Sequence, residues 1–163
     1  MYGLIITKLK SKGFTDLKEI FSVFGDVAKH YNWLLSSYEC SDYPSEKIPF
    51  ENDFVLLSGE DFVDILEVHE IQFIWGVATA YTKNISLESI QHYPLPLADG
   101  YEGFWNPDVA MQHPLADIEI VAWDSSLLLI IAKSKRLIET FAKEYPDSQD
   151  LSEYNRQYSI KKD

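Results

Sequence analysis

Residues 118–134 read IEIVAWDSSLLLIIAKS, two apolar runs joined by the Asp-Ser-Ser of residues 124–126. Short apolar runs predict strands, and Asp and Ser side chains between them predict a turn because they hydrogen-bond the local backbone. The first run alternates, with Glu119 opposed to Ile118 and Ile120. The second run is apolar on both faces, which predicts a buried place in the sheet centre. The stretch therefore predicts a β-hairpin that supplies central strands.

The same turn has a chemical alternative, in which one of its serines acts as a nucleophile with His92 or His113 and an aspartate. The nucleophile turn of the α/β-hydrolases needs the pattern G-x-S-x-G between a strand and a helix. Trp123 and Leu127 border this turn, and no glycine flanks it. The sequence favours the hairpin turn over a catalytic serine.

Outward from the hairpin, hydrophobic periodicity predicts the order β-α-β-β-α-β-loop-β-β-α. Apolar residues three and four apart predict a helix over residues 16–30 with Thr15 as its N-cap. Ser58 and Asp61 have the spacing of a capping box, which begins a second helix. Ser134 caps a last long helix.

Neighbouring strands joined in hairpin-like order indicate a mostly antiparallel sheet. We therefore predict an α+β fold, a single domain over residues 1–163 whose β-sheet has about five to six strands with two longer helices packed on it. The C-terminal residues 157–163 are predicted to fray.

Residues 93–117 form a long loop without periodicity, rich in proline and glycine. A structureless segment of this length is uncommon in a compact domain and is often functional. Its stretch ADGYEGFWNPDVAMQ (98–112) combines aromatic residues with acids: Tyr101, Phe104, Trp105, Asp99, Glu102 and Asp108. Two interpretations stay open. The aromatics anchor a protein interface whose acids select a basic partner, or the segment folds back with Trp105 in the core.

The charge of the chain is concentrated in its middle half. The net charge is −12, and between residues 48 and 132 Lys83 is the only basic residue against 14 acids. Such a field repels nucleic acid and anionic lipid headgroups and attracts a basic protein partner. Solubility alone is the alternative explanation. Within this half, Asp61, Asp64 and Glu67 define the outward face of the second helix and form a second acidic patch.

Several classes of function are disfavoured by what the sequence lacks. No apolar run approaches the length of a membrane span, the N-terminus does not resemble a secretory signal, and the lone Cys40 fits a reducing compartment, so we expect a cytoplasmic protein. No glycine-rich phosphate loop, HExxH or paired CxxC occurs. We expect no metal and no cofactor.

The segment HPLADIEIVAWDSSLLLIIAKSKRLIETFAKEYPDSQDL (113–151) resembles the C-terminal part of bacterial immunity proteins encoded beside polymorphic or contact-dependent toxins. The shared features are a strand, an Asp-Ser turn, a second strand, and a helix that closes in Tyr-Pro before a short acidic segment. The resemblance implies one small acidic domain without catalytic residues, which binds a toxin domain and blocks its active site. It assigns no residue roles.

Sequence and resemblance together lead us to expect an acidic protein-binding module, an immunity protein that occludes the active site of a basic toxin domain, and not an enzyme. The predicted partner-binding residues are Asp99, Tyr101, Glu102, Trp105 and Asp108, with Asp61, Asp64 and Glu67 as the second patch. Two alternatives remain: a small hydrolase whose 93–117 loop is a lid over His92 and His113, and a housekeeping interaction protein with no toxin partner.

Overall fold

The computed structural model describes residues 1–10, 15–44 and 46–159. In these residues one seven-stranded antiparallel sheet runs in the order β3-β2-β4-β5-β6-β1-β7. The strands are β1 (Tyr2–Ile6), β2 (Tyr31–Cys40), β3 (Phe54–Ser58), β4 (Phe73–Thr82), β5 (Ile118–Trp123), β6 (Leu127–Ala132) and β7 (Gln149–Asp150). The α-helices are α1 (Leu17–Phe24), α2 (Gly59–Val68), α3 (Leu87–Gln91), α4 (Lys135–Glu144) and α5 (Leu151–Ser159). The predicted α+β class is confirmed; the strand count exceeds the prediction, and the last strand has only two residues.

The 118–134 stretch forms the predicted hairpin. β5 and β6 pair from Ile118 with Ala132 to Trp123 with Leu127, and β6 lies between β5 and β1 inside the sheet. The two central turn residues, Asp124 and Ser125, have φ angles of 47° and 53°. Positive φ at both central positions is the feature of a type I′ turn, whose twist matches that of the flanking strands.

One face of the sheet is covered by α1, α2 and α4, and we call it the helical face. Its core is apolar and rich in aromatic rings, among them Phe21, Trp33, Phe62 and Phe141. Phe21 packs against Trp33 and Phe62 with ring centroids 4.7 and 4.9 Å apart. This layer is the main hydrophobic core of the domain.

The helix predicted over residues 16–30 differs in both its start and its end. Asp16, and not Thr15, is the N-cap, since the Asp16 side chain accepts from the amide of Lys18 while Thr15 is buried and its hydroxyl donates to the Phe73 carbonyl. Gly25 ends α1 with a φ of 54°, a conformation that glycine adopts without strain, and a 3₁₀ helix (Gly25–His30) continues to β2.

The other face is covered by residues 93–117 together with α3 and α5, and we call it the segment face. Phe104 is buried there against Ile5, Val121 and Leu129. The segment therefore folds back onto the sheet, as one of the two open interpretations has it, although Phe104 takes the buried place expected for Trp105.

The C-terminal tail was expected to fray from residue 157. The structure continues α5 to Ser159, and residues 160–163 lie outside the described residues. Within the described ranges, no helix has both the length and the apolar character needed to cross a membrane.

Candidate functional site

Two glycines shape the backbone of the segment where it carries its aromatic residues. Gly100 has a φ of 79°, in the left-handed region that side chains rarely adopt. Gly103 lies beneath the Tyr101 ring, and a Cβ at residue 103 would be 2.3 Å from Cζ of Tyr101. The position of the Tyr101 ring therefore depends on the absence of a side chain at residue 103. Gly103 belongs to a short 3₁₀ helix (Glu102–Trp105), in which Phe104 is turned inward.

An aromatic cluster joins this segment to the hairpin turn. Trp123, the last residue of β5, has its ring centroid 5.0 Å from that of Trp105 and 4.9 Å from that of Trp75 on β4. The Tyr101 and Phe104 rings are 4.8 Å apart. Three of the four tryptophans of the chain thus meet here, and all three are only partly buried. Edge-to-face contacts at such distances stabilise the cluster.

Part of this cluster lines an open groove with a volume of about 810 Å³, which we call the aromatic groove. Its walls combine aromatic rings, backbone of the two glycines, one carboxylate and one amide. The lining residues are Gly100, Tyr101, Glu102, Gly103, Trp105, Asn106, Pro107 and Trp123. A volume of this size is in the range of ligand and peptide sites.

Glu102 lines the groove, and Asp99 and Asp108 are next in sequence to the lining residues Gly100 and Pro107. Asp99, Glu102 and Asp108 are exposed. The sequence has no Lys or Arg from residue 84 to residue 132. Among the described residues, the ion pairs form elsewhere, and none includes these three acids. Within the described ranges, no ion pair therefore neutralises their negative charge.

The structure separates the two sets of residues predicted to bind a partner. Tyr101, Glu102 and Trp105 line the aromatic groove, and Asp99 and Asp108 lie beside lining residues on the same segment. The acids of the second patch, Asp61, Asp64 and Glu67, are also exposed, but they belong to α2 on the helical face. The sheet lies between the two sets, so they do not form one continuous surface.

Asp61 has a structural role of its own in α2. The Ser58 hydroxyl accepts from the Asp61 amide at 3.0 Å and donates to its carboxylate at 2.8 Å. The hydrogen bond that the Ser58 hydroxyl donates contributes most to lowering the pKa of Asp61, and the hydrogen bond from Lys47 contributes next. Ser58 is therefore the N-cap, as predicted, but the Asp61 carboxylate returns to the Ser58 hydroxyl and not to the backbone amide that a capping box uses.

Trp123 and Trp75 contribute to the site and were missed at the sequence level. In an alternating strand, Trp123 lies on the same face as Glu119 and Val121, and Trp75 lies on the face shared by Val77. Strand alternation could have placed both tryptophans on one face of the sheet. It could not have assigned them to the site without knowing that residues 93–117 cover this face.

Beneath the segment lies a buried carboxylate, Glu119, with no exposed surface. Its Oε2 accepts from the Gln112 amide at 3.0 Å, and its Oε1 accepts from Gln112 Nε2 at 3.5 Å. Gln112 in turn exchanges two hydrogen bonds with the Leu97 backbone. Burial raises the pKa of Glu119 to about 7, and the Gln112 hydrogen bonds oppose that rise. Glu119 thus fastens two distant parts of the segment to β5.

Two hydroxyls on the same face have no hydrogen-bond partner among the described residues. They are Thr79 Oγ1 and Tyr81 Oη, both buried on β4. Thr79 pairs with Glu119 across the β4–β5 ladder. Burial, followed by the nearby Glu119 charge, raises the pKa of Tyr81.

The histidines of the hydrolase alternative are not arranged as a catalytic pair. His113 is buried; its Nδ1 accepts from the Leu115 amide at 3.2 Å, so Nε2 carries the proton and donates to the Ile90 carbonyl at 3.1 Å. Burial lowers the pKa of His113. His92 is exposed and meets His113 only through the intervening Tyr93 ring. With both ring nitrogens occupied, His113 cannot act as a general base in this arrangement.

Two further chemical groups are accounted for by burial and spacing. Burial raises the pKa of the Cys40 thiol to about 12, with a contribution from Glu39, so it is not a thiolate at neutral pH. In the part of the chain that the structure describes, no group of three His, Cys, Asp or Glu side chains is close enough to hold a metal ion.

Comparison with known protein families, with curated proteins and with solved structures gives no match for this chain.

Proposed function

We propose that this protein is an acidic protein-binding module that recognises a basic partner through one surface, the groove surface. It consists of Asp99, Tyr101, Glu102, Trp105, Asp108 and Trp123. The observation that carries the proposal is the aromatic groove itself. It is partly exposed, Glu102 lines it, Asp99 and Asp108 are next in sequence to lining residues, and none of these three acids belongs to an ion pair of the described residues.

The aromatic residues and the acids of this surface have different physical roles in binding. Partly exposed Trp and Tyr side chains provide large contact areas at low entropic cost, and such residues dominate the binding energy of interfaces. Acids around them accelerate association with a basic partner and reject acidic ones. The segment is tied to β5 through Glu119 and to α5 through Asn155, whose Nδ2 donates to the carbonyls of Phe104 and Asn106. The surface is therefore preorganised, which reduces the cost of binding.

The more specific proposal is an immunity protein of the cytoplasm that neutralises a toxin domain by covering its active site. The acidic groove surface and the resemblance of residues 113–151 support it. A housekeeping interaction protein would have the same kind of surface but no toxin partner. The product of a neighbouring reading frame distinguishes the two: it should stop growth when expressed alone and be tolerated when this protein is co-expressed.

Charge reversal with a matched control tests the binding surface. Variant one carries Asp99→Lys, Glu102→Lys and Asp108→Lys; variant two carries Asp64→Lys, Glu67→Lys and Glu70→Lys. Both change the net charge equally, and all six residues are exposed.

We expect the first variant to bind the neighbouring product roughly 100-fold more weakly with a reduced salt dependence, and the second to lose about three-fold through the general field. Equal losses, or a loss confined to the second variant, would contradict the proposed surface.

A further inference from the structure

We propose that the aromatic groove holds the guanidinium group of one arginine from the basic partner, stacked on the indoles of Trp105 and Trp123 with the Glu102 carboxylate as counter-charge. This inference rests on the proposed function and specifies which chemical group of the partner the groove surface binds. It follows from the lining of the groove, its size and the charge around it.

The lining supplies both interactions that a planar cation uses. Trp105, Trp123 and Tyr101 are aromatic, and the faces of such rings attract cations, most strongly for Trp. Trp105 and Trp123 stand at 89° to each other, so they form a corner and not a closed stack. Glu102 brings a carboxylate into the same lining. Guanidinium pairs with carboxylates through two parallel hydrogen bonds and stacks on aromatic rings.

Among the described residues, no Lys or Arg lines the groove, and no ion pair involves Glu102. The nearest basic residues in sequence are Lys83 and Lys133, which pair with Glu60 and Asp117 at 2.9 Å each. In the described residues, the cation lying over an aromatic ring is Lys10 over Tyr145, which belongs to the helical face. Charge complementarity therefore selects a cation from outside.

The size of the groove fits more than a lone side chain. At about 810 Å³ it admits an arginine together with the backbone on either side of it. The backbone of Gly100 in the lining lets a peptide approach closely, since no other group lies within 4 Å of the place where a side chain would begin.

Tryptophan side-chain NMR signals provide a direct readout, because the chain has four indole N–H groups. Trp33 is the internal control: it is fully buried on the helical face, and its Nε1 donates to the Ala28 carbonyl at 2.9 Å. The probes are acetyl-Gly-Arg-Gly-amide, the same peptide with citrulline, the same peptide with lysine, and N-acetylglucosamine. Citrulline keeps the planar shape of arginine without its charge.

We expect the arginine peptide, at millimolar concentration, to shift the Trp105 and Trp123 signals saturably and leave Trp33 unchanged. The citrulline peptide should bind about ten-fold more weakly, and lysine should fall between them. Glu102→Gln should weaken binding of the arginine peptide about three-fold and leave binding of the citrulline peptide unchanged. Trp105→Ala should abolish the shift of Trp123. Gly103→Ala displaces the Tyr101 ring and leaves Glu102 unchanged. It should nevertheless weaken binding of the arginine peptide.

Three results would overturn the inference: no shift with arginine, equal shifts with arginine and citrulline, or a shift with N-acetylglucosamine only. Lysine binding as tightly as arginine would overturn the guanidinium assignment. The proposed function fails separately. If the neighbouring product binds through the groove surface while the arginine peptide does not bind, only the arginine inference is lost; if the peptide binds and the product does not, the proposed partner is lost.

Discussion

The two faces of the sheet bury their side chains against different kinds of structure. The helical face packs apolar rings such as Phe21, Trp33 and Phe62 against regular helices. The segment face holds five of the six buried polar side chains found among the described residues, which are Ser36, Thr79, His113, Glu119 and Asn155. The helical face builds the scaffold, and the segment face carries the groove. Irregular backbone over a sheet leaves polar groups to satisfy, and buried side chains satisfy many of them.

The comparison predicts different costs for removing a fully buried phenylalanine from each face. Phe62→Ala leaves a cavity between regular elements that cannot collapse, and we expect it to reduce the free energy of unfolding by about 4 kcal/mol. Phe104→Ala should cost about 3 kcal/mol, because the segment can relax into the space.

Urea denaturation followed by circular dichroism measures both variants. Binding of the arginine peptide adds a second comparison, since Phe104→Ala should weaken it and Phe62→Ala should not. A larger stability loss for Phe104→Ala than for Phe62→Ala would contradict the division of roles between the faces.

Glu119 makes the segment face sensitive to pH. Its folded-state pKa of about 7 lies above the ordinary value of 4.5, so the folded protein binds a proton more tightly than the unfolded chain. The contribution of this group to stability is complete below pH 4.5 and is lost as the pH rises to about 7. Glu119→Gln removes the titration and keeps an acceptor for the Gln112 amide.

We expect Glu119→Gln to gain about 3 kcal/mol of stability relative to the native protein between pH 4.5 and pH 8. Urea unfolding at several pH values measures this difference. Burial, followed by the Glu119 charge, raises the pKa of Tyr81 and of Tyr101, and both remain protonated throughout this range. A difference independent of pH would show that Glu119 does not titrate in the fold.

Substitutions in the hairpin turn are expected to have the smallest effect on stability. Ser125 has a φ of 53°, which costs a serine more than a glycine, so Ser125→Gly should stabilise the protein by about 0.5 to 1 kcal/mol. Ser126 is the matched control: its φ is not positive, and its hydroxyl donates to the Trp123 carbonyl at 3.1 Å. Ser126→Gly should therefore destabilise. Thermal unfolding of the two variants gives the signs, and stabilisation by both glycines would rule out turn strain as the cause.

What could be predicted from the sequence was local. The hairpin over residues 118–132 was predicted because alternation, burial on both faces and turn chemistry all occur within one short stretch. The Ser58 N-cap of α2 was predicted for the same reason. The end of α1 was not, because a single Gly25 outweighed an apolar periodicity that continues beyond it.

The site depended on contacts between distant parts of the chain. The sequence placed acids and aromatics of residues 99–108 on one segment, and Trp123 joins them only because the segment crosses the end of β5. Alternation in β5 gave no warning that Glu119 would be buried, since Gln112 and the segment cover it. The acids of α2 shared composition with those of the segment, and only the topology shows that the sheet separates them.

Hydrogen–deuterium exchange of the protein, free and bound to the product of the neighbouring reading frame, tests the central claim most directly. The account predicts slower exchange on binding for amides of residues 99–108 and of the turn at 123–126, with α2 unchanged. Protection of α2 together with unchanged exchange at residues 99–108 would contradict it, because the partner would then bind the helical face.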